Sequence, residues 1–268
     1  MDAVPRRRGR PPSAEAGSEV QSLDRAIGIL EVVAAADGLN LSEIARRADL
    51  PTSTVHRLLA TLQRRGLVAH EAESGAWTVG VELFRIGAAY LRIRKLPEIG
   101  RPVVREVLRE VDETVNVSML DGYELVCVAQ AESHAAVRAF FRIGRRLPIH
   151  ASAAGKAILT AASERLREDL LAHTVLERFT ARTRTTRQAL DADLAETAAR
   201  GWAIDDEEHT PGMRCVSAPI LDEWKEPVGA LSISAPSVRM PPKRMTVLGR
   251  RARQAADRLT TTFSGLKP

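Results

Sequence analysis

The chain has few of the features that mark secreted, zinc-binding or membrane proteins. Its 268 residues include two cysteines, Cys127 and Cys215, which lie far apart and outside any CxxC motif. This pattern favours unpaired thiols in a reducing compartment over a disulfide scaffold or a structural zinc site. No apolar run approaches the roughly 20 residues that cross a bilayer, and the basic N-terminus is not followed by the apolar stretch of a secretory signal. We therefore expect a cytoplasmic protein without a membrane segment.

Aromatic residues are also scarce, at 4% of the chain, whereas hydrophobic residues make up 44% and charged residues 27%. That balance is typical of a soluble globular protein. The length exceeds that of one small DNA-binding unit and predicts two domains. The net charge of +5 permits a polyanionic partner, but many basic proteins never bind nucleic acid. The placement of the basic residues therefore has to identify the partner.

Residues 1–20 carry a dense basic cluster and too few large apolar side chains to offset the entropy of ordering, which predicts a disordered tail. Within this tail, Arg8-Gly9-Arg10-Pro11 resembles an AT-hook, whose extended arginines enter a narrow minor groove of DNA. Arg8 and Arg10 are the candidate groove contacts. The alternative, which we favour, is a solvated tail that makes only nonspecific phosphate contacts.

Residues 21–80 contain three short segments in which apolar side chains recur at the spacing of an α-helix. The segments cover residues 23–34, 41–48 and 55–62. Each follows a residue or run that can cap free backbone amides with a side-chain oxygen. The predicted caps are Ser22, Asn40 with Glu43, and the hydroxyl residues 52–54. Three short helices joined by tight turns are therefore expected.

The predicted third helix presents donors and acceptors that suit base edges and phosphates, concentrated near its N-terminus. These residues are Thr52, Ser53, Thr54, His56, Arg57, Thr61 and Arg64. Any solvated helix face could look similar, so the order of the whole unit has to decide. Apolar residues at 67–68 and 77–79 flank a turn at 73–75, which predicts a β-hairpin directly after the helices. The unit is therefore predicted to be a winged helix-turn-helix that binds double-stranded DNA in the major groove.

Residues 81–96 are apolar over more than half of a helix circumference and predict a linker helix that ends at Lys95-Leu96-Pro97. A helix of this kind needs burial against another element or another chain. Packing on its own protein and a dimer contact remain equally open, and the two can coexist.

The remaining residues, 97–268, mix helical and strand patterns. Helices are predicted at 99–111, 155–162, 164–171, 187–200 and 242–263. Strands are predicted at 115–120, 125–130, 137–141, 202–205, 215–221 and 228–234. Because several strands are joined by hairpin-length turns, we expect an α+β domain with an antiparallel sheet flanked by helices.

Two stretches make the interpretation more specific: LPIHASAAGKA at 147–157, and the acidic run 205–208 followed by Gly212 and Cys215. Together with the order of the elements, they closely resemble the IclR family of bacterial transcription regulators, over about residues 20–263. The resemblance implies a winged helix-turn-helix joined by a helix to a GAF-like effector-binding domain, assembled as homodimers or dimers of dimers. It implies no enzymatic activity and no cofactor.

Residues 205–215, with 222–223 and 231–234, resemble in particular the members that control allantoin and glyoxylate metabolism. Carried over by position, the resemblance assigns effector binding to four side chains and two backbone amides. They are the side chains of Asp205, Cys215, Ser232 and Ser234 and the amides near Ala153 and Ala154. Ala153 stands where the family usually has glycine, so a slightly smaller or shifted pocket is expected. The implied effector is glyoxylate or a related short 2-keto acid, with a larger or aromatic acid as the alternative.

The residue types suit a small carboxylate on physical grounds as well. Ser232 and Ser234 lie two apart on a predicted strand, so both hydroxyls face one side and can donate to a carboxylate. Gly155 lies at a predicted helix start, where free N–H groups and the helix dipole favour an anion. Asp205 would repel a carboxylate beside it, so we expect it to accept a hydrogen bond from the other end of the ligand.

Other interpretations compete for the same residues. A thiol enzyme could use Cys215 with His150 or His209, although a structural role suits His150 better. The run at 205–209 could suggest a metal site, but consecutive acids on an exposed turn are usually solvated, and we expect no metal. Gly155-Lys156 lacks the other residues of a phosphate loop. A nucleoid-type architectural protein would explain the basic tail but not the small polar residues of the pocket.

Overall fold

A computed structural model describes residues 20–93, 95–139 and 142–264 of the chain. The chain forms two compact units, which divide between Tyr90 and Leu91. This division falls within a helix, Val81–Ile93. Arg8 and Arg10 of the predicted tail lie outside the described residues.

The N-terminal unit contains three helices, a two-stranded antiparallel hairpin and most of a fourth helix. The elements are α1 (Gln21–Ala34), α2 (Leu41–Arg47), α3 (Thr52–Arg64), β1 (Val68–His70), β2 (Trp77–Val79) and α4 (Val81–Ile93). Their apolar stripes meet in one core that includes Ile29, Ile44, Leu59, Val68 and Trp77. Because helices this short are marginal on their own, the shared core stabilises all three. The predicted order of three helices and a hairpin is confirmed.

The start of α2 is closed by the predicted capping box. Asn40 Oδ1 accepts a hydrogen bond from the Glu43 amide at 3.0 Å, and Glu43 Oε2 accepts one from the Asn40 amide at 3.0 Å. Each side chain thereby satisfies a backbone donor that the helix itself cannot satisfy.

The other two predicted caps are wrong. Helix α1 begins at Gln21, one residue before Ser22, and no side chain caps it. Helix α3 begins at Thr52 with Pro51 in the N-cap position, so the hydroxyl residues 52–54 lie inside the first turn rather than before it. Proline has no side-chain oxygen, and these hydroxyls make no hydrogen bond to the described residues. They are therefore open to an external partner.

Helix α5 (Lys95–Val111) follows α4 almost directly, so the prediction that Lys95-Leu96-Pro97 ends the linker helix is wrong. These three residues form the first turn of α5 instead. Proline is tolerated there because the N–H that it lacks would have no partner in the helix. Within the described part of the chain, the apolar side chains of Val81 and Phe84 on α4 are exposed.

The C-terminal unit is built on a six-stranded sheet in which all neighbouring strands are antiparallel. Its strands are β3 (Thr114–Asp121), β4 (Glu124–Ala131), β5 (Arg146–Leu147), β6 (Ala203–Asp206), β7 (Met213–Leu221) and β8 (Pro227–Pro236). Its helices are α5, α6 (Ala153–Ala161), α7 (Glu164–Ala172), α8 (Arg187–Arg200) and α9 (Pro242–Ser264). The strand order is β5-β4-β3-β8-β7-β6. The predicted α+β class with a helix-flanked antiparallel sheet is confirmed.

The two faces of this sheet differ in chemistry. Helices α5 and α9 cover one face with a continuous apolar core that includes Val117, Ile233 and Leu248. Helix α6, supported by α8, covers the other face. There, apolar residues such as Leu125 and Ala203 surround a centre of small polar side chains. This polar centre lies beneath the N-terminus of α6 and forms the cavity described below.

The strand predicted at 137–141 is not formed by residues 137–139, and Phe141 lies outside the described residues. Side chains bind the carbonyls that a strand would have paired. The Thr114 hydroxyl donates to the Ala139 carbonyl at 2.9 Å, and Arg239 Nη1 donates to the Val137 carbonyl at 2.6 Å.

None of the described helices is both long enough and apolar enough to cross a membrane.

Candidate functional site

The exposed face of α3 carries the predicted DNA-contacting residues. Val55, Leu59 and Leu62 turn into the core, which leaves the opposite face to solvent. The residues on or near that face are exposed Thr52, Ser53, His56, Arg57, Thr61 and Arg64, with Thr54 half-buried. A row of hydrogen-bond donors in this position suits contacts with base edges in a major groove and with the phosphates beside it. Their contact with DNA stays a prediction.

Two of these side chains are engaged by the helix itself. The Thr61 hydroxyl donates to the Arg57 carbonyl at 3.0 Å, and Arg64 Nη2 donates to Thr61 Oγ1 at 3.4 Å. The Arg57 guanidinium, in contrast, makes no hydrogen bond or ion pair with the described residues. Ser22 and Arg25 of α1 line the same surface hollow as Arg57. Sequence reasoning missed Arg25 because the helical pattern gave α1 only a packing role.

A cavity of about 30 Å³ lies between the polar centre of the sheet and the N-terminus of α6. Its wall includes all six residues that the family resemblance assigned, from four separate elements. The lining residues are Asn116, Ser118, Cys127, Leu147, Ser152, Ala153, Ala154, Asp205, His209, Cys215, Ser232 and Ser234. The fold therefore brings the predicted effector contacts together, while their role in binding stays a prediction.

The floor of the cavity is a row of small polar side chains on neighbouring strands. Cys215 of β7 lies opposite Asp205 of β6 and opposite Ser234 of β8. The Ser234 hydroxyl donates to Cys215 Sγ at 3.1 Å, and the Ser232 hydroxyl donates to Ser217 Oγ at 2.9 Å. Ser232 and Ser234 thus face the same side, as their spacing predicts. Since both hydroxyl protons already have acceptors, a bound carboxylate has to turn them toward itself.

The roof of the cavity is the first turn of α6. Ser152 is the N-cap, and its hydroxyl accepts a hydrogen bond from the Gly155 amide at 3.1 Å. The helix therefore starts at Ala153, two residues before the predicted start at Gly155, and the amides of Ala153 and Ala154 have no acceptor among the described residues. Glycine is needed at position 155, because a Cβ there would lie 2.0 Å from the carbonyl oxygen of Ile149. Two free amides at a helix N-terminus favour an anion.

Asp205 is buried at one end of the row, with 7% of its surface exposed. Its Oδ1 accepts hydrogen bonds from the Glu208 amide at 2.7 Å and the His209 amide at 3.3 Å. Burial raises the pKa of Asp205 to about 7 and outweighs these two bonds, which lower it. The acidic run is not the solvated turn that was expected: Glu208 is also buried, and Asp206 pairs with Arg214 at 2.5 Å.

The raised pKa of Asp205 makes the stability of the ligand-free protein depend on pH. Its folded-state pKa of about 7 lies above the ordinary value of 3.8, so the folded state holds this proton more tightly than the unfolded chain. The resulting stabilisation is fully present below the ordinary pKa and is lost as the pH rises through about 7. Asp205→Asn keeps the Oδ1 acceptor but cannot ionise. It should therefore flatten this part of the profile and raise the free energy of unfolding at pH 8 by up to about 4 kcal/mol, at about 1.4 kcal/mol for each unit of the pKa shift.

Urea denaturation at intervals from pH 4 to pH 8 checks this expectation. The difference between wild type and Asp205→Asn should be small at pH 4 and should grow toward pH 8. A difference that is the same at every pH would show that Asp205 does not titrate in this range.

A buried lysine that sequence reasoning missed lies behind the cavity. Lys156 is 0% exposed, and its Nζ donates to Asp193 Oδ2 at 2.5 Å and to Glu208 Oε1 at 2.6 Å. These bonds tie α6 to α8 and to the turn whose amides hold Asp205. The available signal was a single lysine in helix Ala153–Ala161, whose other side chains are mostly small or apolar. The sequence around Lys156 indicates only an incomplete phosphate loop.

Sequence reasoning also missed three residues on the β3 and β4 side of the cavity, namely Asn116, Ser118 and Cys127. The signal was present in the alternation of Asn116 and Ser118 with Val115 and Val117. Alternation of this kind usually marks a strand with one solvated face. Here Asn116 and Ser118 on that face are buried and line the cavity together with the first residues of α6.

Cys215 and His209 both line this cavity, but the thiolate that a thiol enzyme needs is not favoured there. Burial raises the pKa of Cys127 and of Cys215 to about 12, so neither forms a thiolate near neutral pH. His150 lines a neighbouring groove, and its ring nitrogen Nε2 donates to the Glu177 carbonyl at 2.9 Å. The described residues also contain no group of three His, Cys, Asp or Glu side chains suited to a metal ion. The arrangement suits binding rather than nucleophilic catalysis.

A winged helix-turn-helix and a separate domain with a small cavity that polar side chains line in part define a DNA-binding regulator with an effector-binding domain. Comparison with known families identifies it further. Residues 22–72 match the IclR helix-turn-helix domain, and residues 88–261 match the bacterial transcriptional regulator IclR C-terminal domain. The chain belongs to the IclR family of transcription regulators and is not an enzyme.

Similar proteins extend over nearly the whole chain. The HTH-type transcriptional regulator BhcR of Paracoccus denitrificans is 41% identical over 266 residues, which cover 97% of this chain and 95% of BhcR. The transcriptional repressor IclR of Escherichia coli is 40% identical over 270 residues, which cover 98% of each protein. A crystal structure of an IclR homologue from Microbacterium hydrocarbonoxydans, complexed with 4-hydroxybenzoate, aligns with a TM-score of 0.71 at 26% identity. That alignment covers 90% of this chain and 99% of the homologue.

Proposed function

We propose that a small carboxylate, glyoxylate or a related short 2-keto acid, controls operator binding by this regulator. Residues 21–80 bind the operator, residues 97–268 hold the effector and residues 81–96 connect the two. The protein acts in the cytoplasm as a homodimer or a dimer of dimers. The observation that carries the proposal is the small cavity beneath the N-terminus of α6, whose wall includes the buried polar side chains of Asp205, Ser232 and Ser234.

The size of the cavity supports a short acid. A cavity needs about 10–15 Å³ of space for the centre of one buried water molecule. The cavity volume of about 30 Å³ therefore has room for roughly two or three groups of that size. Glyoxylate needs only a small outward movement of the side chains around it, whereas a benzene ring needs much more. An aromatic acid such as the 4-hydroxybenzoate of the Microbacterium homologue is therefore disfavoured as the effector here.

The chemistry of the wall supports an anion with a second polar end. The amides of Ala153 and Ala154 and the hydroxyls of Ser232 and Ser234 are donors to a carboxylate. Asp205 repels a second negative charge but accepts a hydrogen bond from a hydroxyl group. Hydrated glyoxylate has a carboxylate at one end and hydroxyls at the other, whereas acetate ends in a methyl group.

Control of DNA binding follows from the geometry of a dimer. Its two recognition helices must meet two half-sites at a spacing that the protein sets. An effector that changes this separation, or the population of molecules that have it, changes operator affinity. A coupling free energy of about 1–3 kcal/mol is enough to switch occupancy. The same contacts serve repression and activation, so the proposal covers either outcome.

Isothermal titration calorimetry of the full chain tests the effector assignment. Glyoxylate should bind with one molecule per cavity, and acetate and 4-hydroxybenzoate should bind at least about 10-fold more weakly. Ser234→Ala should lower the affinity for glyoxylate by about 10-fold or more, because it removes a donor to a charged group. Ser42→Ala, an exposed serine on α2, is the matched control and should change nothing. No heat with glyoxylate, pyruvate or related short keto acids would remove the proposal.

A further inference from the structure

Strand β3 carries two buried polar groups that the family resemblance does not assign. Asn116 is 4% exposed and Ser118 is 1% exposed. Asn116 Oδ1 and Ser118 Oγ have no hydrogen-bond partner among the described residues, and both residues line the effector cavity. Buried polar groups nearly always have partners, so two unpartnered groups on one wall call for a physical explanation.

The strand register places these groups beside the predicted effector contacts. Asn116 lies directly opposite Ser232 across β3 and β8. Side chains in such a pair have Cβ atoms about 4.5–5.5 Å apart, so a ligand on the Ser232 hydroxyl is within reach of the Asn116 amide. Ser118 lies further along β3, opposite Cys127 of β4. Asp205, on β6, lies toward the other edge of the sheet.

A neighbouring residue shows that this face of β3 can satisfy its own polar groups. The Thr114 hydroxyl donates to the Ala139 carbonyl at 2.9 Å and accepts from the Ser133 amide at 3.3 Å. Thr114 is fully buried and does not line the cavity. On this face of β3, the described polar groups without a partner belong to Asn116 and Ser118, the two residues that line the cavity.

We propose that Asn116 and Ser118 form a second polar subsite of the effector cavity, which binds a hydroxyl group on the carbon next to the carboxylate. Hydrated glyoxylate and 2-hydroxy acids carry such a group. An amide and a hydroxyl both donate and accept, so each finds its complement in the ligand. A methyl group in the same place leaves the protein groups unpartnered and weakens binding. The inference rests on the proposed function, since it concerns the same cavity and the same class of effector.

Asn116→Leu tests the subsite with two readouts, because leucine has the same number and branching of side-chain heavy atoms as asparagine but no polar atoms. In calorimetry, the variant should bind glyoxylate and glycolate about 10-fold more weakly, while acetate should change by less than about 2-fold. In thermal unfolding of the ligand-free protein, its Tm should rise by about 2–4 °C, because a buried group without a partner is removed. Ser118→Ala should change both quantities in the same directions.

Thr114→Val is the matched control on the same strand. It removes a hydroxyl that has two partners, so it should lower the Tm and leave the ratio of glycolate to acetate affinity unchanged. A purely structural role of Asn116 would make Asn116→Leu behave like this control.

The outcomes separate the two proposals. A wild-type chain that binds none of these acids overturns both. A wild-type chain that binds glyoxylate, with an Asn116→Leu variant that weakens glycolate and acetate equally or lowers the Tm, overturns the subsite alone.

Discussion

Lys156→Met should destabilise the effector-binding domain by roughly 3–5 kcal/mol, the usual cost of removing one partner from a buried ion pair. Lys156 Nζ is the shared donor to Asp193 and Glu208, which are both buried. Without it, two carboxylates face each other in a medium that solvates them poorly. Urea denaturation followed by circular dichroism should therefore show the effector-domain transition at a much lower midpoint.

Two further variants show whether the destabilisation by Lys156→Met results from the burial of its two carboxylate partners. Arg187→Met removes a cation that also pairs with two acids, Glu168 and Asp191, but on an exposed helix face. It should cost at most about 1 kcal/mol. In the triple variant Lys156→Met, Asp193→Leu, Glu208→Met, apolar side chains replace the whole cluster, so most of the lost stability should return. If Lys156→Met costs no more than Arg187→Met, the buried cluster does not stabilise this domain.

Arg57→Ala should weaken operator binding by at least about 30-fold while glyoxylate affinity stays unchanged. The Arg57 side chain is exposed on α3 and makes no hydrogen bond or ion pair with the described residues. An arginine bound to a base edge contributes about 1–3 kcal/mol of discrimination, and a dimer carries two such residues. Fluorescence anisotropy with a labelled promoter duplex measures the first quantity, and calorimetry measures the second.

Arg165→Ala provides the control for charge alone. Arg165 is exposed on α7 of the effector-binding domain, so its loss changes the net charge equally but touches no recognition helix. Its effect on operator affinity should be small and should shrink as salt is added. Unchanged operator affinity in Arg57→Ala would mean that the recognition helix has been placed wrongly.

The helices of the N-terminal unit could be predicted from the sequence because their signals are local. The apolar spacing in α1, α2 and α3 defines one stripe each, and all three stripes pack on the same small core. The helix start at Pro51 was harder, because the hydroxyls that follow it are equally suited to capping and to contacts outside the protein. Only the backbone geometry distinguishes those two roles.

In the effector-binding domain, most helices and strands could be predicted from the sequence, but the way the helices pack on the two faces of the sheet could not. Alternation shows that the two faces of a strand differ, but it does not show which layer covers each face. Asn116 and Ser118 therefore matched a solvated face, although both are buried and line the cavity together with residues of α6. The buried position of Lys156 could not be predicted, because its partners, Asp193 and Glu208, lie 37 and 52 residues further along the chain. The family resemblance supplied the rest of the candidate site.

Operator affinity with and without glyoxylate tests the central claim most directly. The full chain is titrated into a labelled duplex from the promoter next to its own gene, first alone and then with saturating glyoxylate or acetate. We expect glyoxylate to change the apparent Kd by about 5- to 150-fold in one direction, acetate to change it little, and Ser234→Ala to abolish the response at the same glyoxylate concentration. An unchanged Kd while calorimetry shows the cavity filled would contradict an effector-controlled regulator.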